Sequence, residues 1–184
     1  MAYTSLRQHV LNRGIPPDSF LEEMIAWGKS APEQIFAPNP YTDIYSGVKN
    51  VLGPWRSNLH RRAVMLEVMR VLAGFESSWD WNEGRDLSNP DSGTPETMEA
   101  GAWQVSANSM NFGIELKDLV MREVHSLDPV AFQRSMKTNH FFAMEYIARL
   151  LRRTIRHNGP VLRHEIDPWL RRDAVDEFLT LMSS

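Results

Sequence analysis

Apolar and polar positions alternate with a helical period over most of this chain. The strongest pattern runs from Asn58 to about Ser77, where apolar residues fall on several sides of the predicted helix rather than on one stripe. A helix that is apolar on several sides is buried, so we predict a central helix here, with Asn58 as its N-cap. This helix reaches Glu76 directly after Phe75.

Shorter helical patterns lie on both sides of the central helix, and proline or glycine marks most of their ends. They predict helices over about 4–13, 18–31, 107–124 with a break at Gly113, 129–156, and from Asp167 onward. Residues 33–57 predict an extended loop with a helical turn near 45–51, and residues 78–100 predict a second loop. Residues 101–106 (GAWQVS) predict a short strand, as one half of a small hairpin with part of that loop. The expected class is therefore mostly α (α+β), with one small β element.

A chain of 184 residues is long enough for one domain with a substantial core. No repeat, low-complexity segment or interdomain linker interrupts it. We therefore predict a single domain over 1–184, in which 1–57 forms a helical N-terminal extension packed on a core formed by 58–184.

Composition excludes several classes of function. The formal charge of −3 and a pI of about 6.1 give no general attraction to nucleic acid or to anionic membranes. Without cysteine, the chain has neither disulfides nor a thiolate nucleophile. The N-terminus has no long apolar region and no apolar run approaches the roughly 18 residues of a membrane span. We expect no signal peptide, so export would use a route that does not read a cleaved signal.

The leading candidate for chemistry is the glutamate at the end of the central helix. Cleavage of a glycosidic bond needs an acid that stays protonated near neutral pH, and apolar surroundings raise a carboxyl pKa in that direction. Phe75 and Trp79 are available to surround Glu76 in this way. The alternative interpretation is a surface glutamate that caps the helix or forms a salt bridge.

The loop after Glu76 carries several carboxylates that could act beside it. An inverting glycosidase needs a second carboxylate about 6.5–9.5 Å from the acid, and a retaining one needs it at about 5–5.5 Å. Glu99 is the first candidate because it lies at the entry to the predicted strand, and Asp91 and Asp86 follow. Alternatively, these residues are solvated loop acids.

The same acids are also candidate calcium ligands. However, residues 80–84 miss the EF-hand spacing, since glycine falls at the fifth position of the loop rather than the sixth. The six histidines form no HExxH motif and no close pair, so we predict no zinc site. The expectation is no cofactor, with a calcium site of another kind as the alternative.

Three segments, in the same order, resemble the lysozyme-like superfamily, in particular goose-type lysozymes and lytic transglycosylases. Residues 76–78 (ESS) are similar to the family's helix-ending glutamate and serine. Residues 101–106 are similar to its G-L-M-Q-V strand, with alanine and tryptophan in place of leucine and methionine. Residues 157–160 (HNGP) are similar to its Y-N-A-G-P motif, with histidine for tyrosine and the alanine missing. The resemblance covers about 60–165, and residues 1–57 match nothing in the family.

The resemblance implies a lysozyme-like fold, in which the central helix carries a catalytic glutamate and a small β element lines the cleft. It makes Glu76 the general acid. Asp86, Asp91 and Glu99 occupy the interval in which goose-type lysozymes keep water-positioning aspartates, and the glutamate is a departure from that pattern. The candidate substrate-binding residues are Ser77, Gln104, Ser106, Tyr146 and Asn158.

Within the superfamily, residues 74–84 (GFESSWDWNEG) and 169–178 (WLRRDAVDEF) resemble the glycoside hydrolase effectors of bacterial type VI secretion. That resemblance implies an antibacterial muramidase that reaches the periplasm of a rival cell without a cleaved signal peptide. Its substrate would be the glycan strands of peptidoglycan. It also implies a cognate periplasmic immunity protein that plugs the cleft of the toxin.

The expected reaction cleaves the β-1,4 bond between N-acetylmuramic acid and N-acetylglucosamine, with Glu76 protonating the glycosidic oxygen. A loop carboxylate that activates water would give hydrolysis. Without one, the muramic acid 6-hydroxyl attacks instead and gives the anhydro product of a lytic transglycosylase. The alternatives are a phage endolysin of the same fold or a non-catalytic helical module that binds a glycan or a protein. A peptidoglycan amidase or peptidase would lack its usual Cys–His pair or zinc ligands.

Overall fold

The central helix, α4, spans Asn58–Ser77 in the computed structural model, which describes residues 3–184. Its predicted bounds are confirmed, but the N-cap is Ser57, whose side chain accepts a hydrogen bond from the His60 amide at 3.1 Å. The other helices are α1 (Asp18–Ser30), α2 (Ile44–Gly47), α3 (Lys49–Leu52), α5 (Ile114–Val124), α6 (Pro129–Thr138), α7 (His140–Arg153), α8 (Gly159–Leu162) and α9 (Arg172–Ser183).

The β element is a hairpin of two short antiparallel strands, β1 (Glu99–Ala100) and β2 (Val105–Ser106). The predicted mostly α class with one small β element is confirmed. The predicted strand over 101–106 is wrong in extent, because Gly101 and Gln104 have positive φ angles of 77° and 46° and residues 101–104 form the turn. A side chain at Gly101 would also meet the Met136 carbonyl at 2.7 Å, so the turn requires glycine here.

Helix α4 ends because the backbone turns left-handed after Ser77. Ser78 has a φ of 56°, and the amides of Ser78 and Trp79 donate to the carbonyls of Gly74 and Ala73 at 3.3 and 3.2 Å. These two bonds satisfy carbonyls that would otherwise have no partner at the helix end. The chain therefore leaves the helix abruptly, one residue after Glu76.

The prediction of one continuous helix over 129–156 is wrong in two respects: the helix is divided in two, and it ends earlier than predicted. It divides at Asn139, whose φ and ψ of −112° and 85° are not helical. The Asn139 side chain accepts a hydrogen bond from the Phe142 amide at 3.1 Å and so caps α7. Helix α7 then stops at Arg153. The last helix, predicted from Asp167, begins at Arg172 after a separate 3-10 turn over 167–169.

The predicted helix over 4–13 is also wrong. The amides of Thr4, Ser5 and Leu6 donate to the carboxylate of Glu177 on α9, at 2.9, 2.6 and 3.0 Å. Leu11 has a positive φ of 51°, which a right-handed helix does not allow. Residues 3–17, called here the N-terminal segment, therefore run as turns across the body of the fold.

Most of α4 is buried, since α1, α7, α8 and α9 pack around it. Its apolar side chains belong to a hydrophobic cluster that extends from Leu6 in the N-terminal segment to Phe178 in α9. Trp103 in the hairpin turn is buried in this cluster and donates to the Met69 carbonyl of α4 at 2.8 Å. The hairpin is thus fixed to the same helix that ends in Glu76. None of the helices within residues 3–184 is long and apolar enough to cross a membrane.

Candidate active site

A cavity of about 820 Å³ opens where the end of α4, the β hairpin and the loop between them meet. Its size is typical of a ligand site. Its lining is mostly polar and includes one residue from the segment before α8 and two from the start of α8. The lining residues are Arg13, Glu76, Glu83, Arg85, Asp86, Leu87, Ser88, Asn89, Glu99, Gln104, Ser106, His157, Gly159 and Pro160.

Glu76 is partly buried at the wall of this cavity, and its environment favours the protonated acid. Burial is the main cause that raises the pKa of Glu76 to about 7, and the negative charge of Glu99 raises it further. The positive charges of Arg163 and Arg13 act in the opposite direction. A carboxyl with a pKa near 7 retains its proton in much of the population at neutral pH and is still acidic enough to release it.

Ser77 fixes the end of α4 to the β hairpin. Its hydroxyl is buried and lies 2.8 Å from the Ala102 carbonyl, to which it donates, and it accepts from the Asp80 amide at 3.0 Å. One residue therefore connects the helix end, the hairpin turn and the start of the loop. Ser77 does not line the cavity, so it supports Glu76 from behind and does not contact a ligand there.

Glu99 is the second carboxyl at the base of the cavity, and the loop holds both of its oxygens. The Asn89 side-chain amide donates to one oxygen at 2.9 Å, and the hydroxyl of the buried Ser92 donates to the other. Each donor comes from the 78–98 loop, so the loop orients a carboxylate that belongs to β1. Glu99 also faces Ser106 across the hairpin, and Ser106 lines the same cavity.

Of the other two carboxylates predicted to position water, one lines the cavity and one does not. Asp86 lines it, but the residue is exposed and its carboxylate accepts hydrogen bonds from the amide and hydroxyl of Ser88. These bonds lower the pKa of Asp86, which favours the charged form. Asp91 is exposed and lies outside the cavity. Burial and proximity to Glu76 therefore single out Glu99 among the three.

The candidate substrate-binding residues divide in the same way. Gln104 and Ser106 line the cavity, whereas Asn158 is buried beside it and its neighbours His157 and Gly159 form the wall. The interpretation of Tyr146 as a substrate-binding residue is wrong. Its side chain has no exposed surface, because it lies in the core with its hydroxyl 2.7 Å from that of Ser109.

His157 contributes a neutral imidazole to the cavity wall. Burial lowers its pKa, against the opposing effect of the Glu99 charge. Its ring packs edge to face on Phe112, with centroids 5.7 Å apart. An uncharged histidine can donate from one ring nitrogen and accept at the other, which suits it to a polar, uncharged ligand group.

Arg13, Arg85 and His157 line the cavity although the sequence did not indicate them as site residues. Arg13 lies in the N-terminal segment, where the family resemblance gives no alignment, and Arg85 lies in the loop among many charged residues. Only the histidine carried a signal, since residues 157–160 resemble a motif that borders the cleft in the family.

The 78–98 loop is held in place by an aromatic stack and by backbone hydrogen bonds. Trp81 stacks on His140 with ring centroids 3.9 Å apart and planes only 6° from parallel. The Glu83 carbonyl accepts from the Gly101 amide, and the Glu96 carbonyl accepts from the Asn108 amide, both at 2.9 Å. These contacts connect the loop to α7, to the hairpin turn and to the segment after β2.

No group of three or more His, Asp or Glu side chains within residues 3–184 is arranged to hold a metal ion. The candidate acids have separate hydrogen-bond partners: Glu99 of β1 accepts from Asn89, while Asp86 of the loop accepts from Ser88. The arrangement therefore gives no support to a calcium site in the loop.

Comparison of the chain with models of protein families, with curated proteins and with solved structures gives no match.

Proposed function

We propose that this protein is a lysozyme-like muramidase that cleaves the glycan strands of peptidoglycan, with Glu76 as the general acid. One observation carries the proposal: Glu76 is a carboxyl with a pKa of about 7 at the wall of a cavity of about 820 Å³. Glycoside hydrolysis requires an acid of this kind beside a second carboxylate. Glu99 is that second carboxylate.

In the proposed reaction, Glu76 donates its proton to the glycosidic oxygen as the bond from that oxygen to the anomeric carbon breaks. Positive charge then develops on the sugar ring. The Glu99 carboxylate lies at the same cavity and favours that charge. After the step Glu76 is an anion, and the nearby charges of Arg13 and Arg163 stabilise it.

We assign the activation of water to Glu99. It removes a proton from the water as the water oxygen bonds to the anomeric carbon, and the products are two glycans with a new reducing end. The donors Asn89 and Ser92 hold both carboxylate oxygens, which fixes the direction in which Glu99 accepts that proton. This assignment favours hydrolysis over the lytic transglycosylase route.

The proposed biological role is that of an antibacterial toxin delivered to the periplasm of a rival cell. Its support is the resemblance of the motifs at residues 74–84 and 169–178 to those of type VI secretion effectors. The role entails an immunity protein that covers the cavity in the producing cell. A neighbouring gene for a small exported protein is expected, whereas a neighbouring holin gene would favour the phage endolysin.

The test is digestion of purified peptidoglycan by the wild type and by Glu76→Gln, with the soluble products identified by mass spectrometry. Wild type is expected to release disaccharide-containing fragments, and Glu76→Gln is expected to lose at least about a hundredfold in rate, because glutamine cannot supply the proton. Glu96→Gln is the matched control, since Glu96 is an exposed loop glutamate outside this cavity. Equal product from wild type and Glu76→Gln would refute the proposal.

The same spectra separate the two reaction types. A hydrolytic product is heavier than the anhydro product by one molecule of water. Reducing-end products from the wild type support the role of Glu99, and anhydro products from the wild type would contradict it. A non-catalytic binding module would bind peptidoglycan without releasing any fragment.

A further inference from the structure

We propose that Arg13 and Arg85 form a pair of guanidinium contacts that bind carboxylates of the substrate, so that the cavity selects an acidic glycan over a neutral one. The proposal rests on the proposed function, because it concerns the substrate of the same cavity. Two features carry it: both arginines line the cavity, and neither guanidinium has an ion pair or a hydrogen-bond partner among residues 3–184.

Arg13 reaches the cavity because the N-terminal segment is fixed to the end of α4. The Val10 amide donates to the Gly14 carbonyl at 3.1 Å, and the Arg13 amide donates to the Val10 carbonyl at 3.0 Å. This closed turn contains positive φ angles at Leu11 and at Gly14. Val10 itself is fully buried in the core. The turn therefore presents Arg13 from an anchored backbone.

A glycine in α4 makes this approach possible. A side chain at Gly74 would lie 2.7 Å from the Trp79 ring and 3.1 Å from the Cβ atom of Val10. Val10 of the N-terminal segment and the Trp79 ring thus occupy the space that a larger side chain at position 74 would fill. Gly74 belongs to the turn of α4 that carries Glu76, which explains why the Arg13 charge reaches that carboxyl.

Arg85 is presented by a part of the loop that is fixed on both sides. On one side, the Glu83 carbonyl accepts from the Gly101 amide of the hairpin turn at 2.9 Å. On the other side, Asp86 forms a turn in which the Ser88 amide donates to its carboxylate at 2.8 Å. The loop therefore places Arg85 at the cavity, although the side chain itself is exposed.

The charged groups of the cavity differ in how their hydrogen bonds are used. Within residues 3–184, Arg13 and Arg85 form no ion pair and donate no side-chain hydrogen bond. The acidic side chains other than Glu76, in contrast, already accept hydrogen bonds from the fold, and these pairs are Asp86 with Ser88, Glu99 with Asn89 and Ser92, and Glu83 with Gly84. The cavity therefore contains two arginine side chains whose hydrogen-bond donors the described fold does not use, whereas its acidic side chains other than Glu76 are already bonded to the fold.

A guanidinium with all its donors free matches a planar carboxylate, which it can bind through two parallel hydrogen bonds. Peptidoglycan meets this requirement, since its peptide stems carry free carboxylates along the glycan. Chitin has the same β-1,4-linked backbone of acetylated amino sugars but no carboxylate. The pair therefore gives the cavity a chemical reason to distinguish the two polymers.

The experiment measures binding in the Glu76→Gln background, which removes cleavage and keeps an uncharged side chain at position 76. Co-sedimentation gives the Kd for peptidoglycan freed of phosphate polymers, for the same material with its carboxyls converted to amides, and for chitin. Arg13→Gln and Arg85→Gln are added singly and together. Arg134→Gln is the matched control, because Arg134 is exposed on α6, away from the cavity. Wild-type digestion of the native material is followed in parallel.

Each cavity substitution is expected to weaken binding to native peptidoglycan about tenfold, as for the loss of one charge-assisted hydrogen bond, while Arg134→Gln has no effect. Amidated peptidoglycan and chitin should bind weakly and equally to all variants. Equal affinity for native and amidated material, or an equal loss in Arg134→Gln, would overturn the proposal. If binding depends on Arg13 and Arg85 but wild type releases no fragments, the proposed function fails while the carboxylate site stands.

Discussion

Glu76 at the end of α4 and Glu99 at the start of β1 share one cavity, and the negative charge of Glu99 makes the Glu76 proton harder to remove. Burial of Glu76 is the larger cause of its raised pKa, and Glu99 is the second. The surroundings therefore make the two carboxyls different. Glu76 keeps its proton, and Glu99 is held as a hydrogen-bond acceptor by Asn89 and Ser92.

The first prediction concerns the pH dependence of the rate. The general acid is active when protonated, so kcat should fall as pH rises through about 7, the pKa of Glu76. Arg163 lowers the pKa of Glu76 and Glu165 raises it. Arg163→Gln should therefore move the alkaline limb to higher pH, and Glu165→Gln should move it to lower pH. Both residues are exposed and lie outside the cavity lining. The measurement is the pH–rate profile of each variant. If both variants moved the alkaline limb in the same direction, the assignment of that limb to Glu76 would be contradicted.

The second prediction concerns stability. A carboxyl whose pKa rises from 4.5 in the unfolded chain to about 7 in the fold binds more protons when folded between those values. Its contribution to the free energy of unfolding is absent below pH 4.5 and becomes unfavourable as pH rises to 7. From this shift of the Glu76 pKa to about 7, Glu76→Gln should be more stable than wild type at pH 8 by up to about 3 kcal/mol.

That difference should shrink toward zero near pH 4, where both side chains at position 76 are uncharged. Urea unfolding of wild type and Glu76→Gln at the two pH values measures it. A difference that does not depend on pH would show that the proton equilibrium of Glu76 is not its cause.

The third prediction concerns the residues that position Glu99. Ser92→Ala and Asn89→Ala each remove one donor from its carboxylate. Each should lower kcat about tenfold with little change in KM, because a general base must be held in the correct geometry. Thr94→Ala is the control in the same loop, since the Thr94 hydroxyl hydrogen-bonds with Thr97 and the residue does not line the cavity. A rise in KM without a fall in kcat would assign Asn89 and Ser92 to substrate binding instead.

The fourth prediction concerns the packing behind the acid. Gly74→Ala places a methyl group against the Trp79 ring and Val10, and overpacking of this kind costs about 1–3 kcal/mol. We expect a lower melting temperature and a lower activity, because the same displacement moves the end of α4 and Arg13. Gly47→Ala is the control: its nearest atom would be the Ile155 side chain at 4.0 Å. A Gly74→Ala variant with the stability and activity of the wild type would show that close packing at Gly74 is not required for either.

The sequence predicted the central helix well because its signal is local. The apolar positions of α4 persist over its length and a left-handed residue ends it at Ser78. The division at Asn139 was missed because apolar positions continue in register on both sides of it. The helix predicted over 4–13 failed for a tertiary reason, since Glu177, distant in sequence, binds the amides of Thr4–Leu6 in a non-helical conformation.

For the candidate site, the sequence indicated Glu76 and Glu99 because each lies next to a predicted element: Glu76 at the end of the central helix and Glu99 at the entry to the strand. Asp91 and Tyr146 show why the remaining predictions were weaker. An acidic loop gives no indication of which carboxylate turns inward, and Tyr146 looks the same in sequence whether its hydroxyl meets a ligand or Ser109. Arg13 was missed because its position depends on the packing of Val10 against Gly74, which no local pattern encodes.

The most direct test of the central claim is a titration of the Glu76 side chain by carbon-13 NMR of its carboxyl group, with Glu76→Gln used to assign the signal. The account predicts a midpoint near pH 7, and a lower midpoint in Glu99→Gln, because that variant removes the second cause of the raised pKa. A Glu76 carboxyl that titrates near its ordinary value of 4.5 would contradict the claim that this cavity holds a protonated acid at neutral pH.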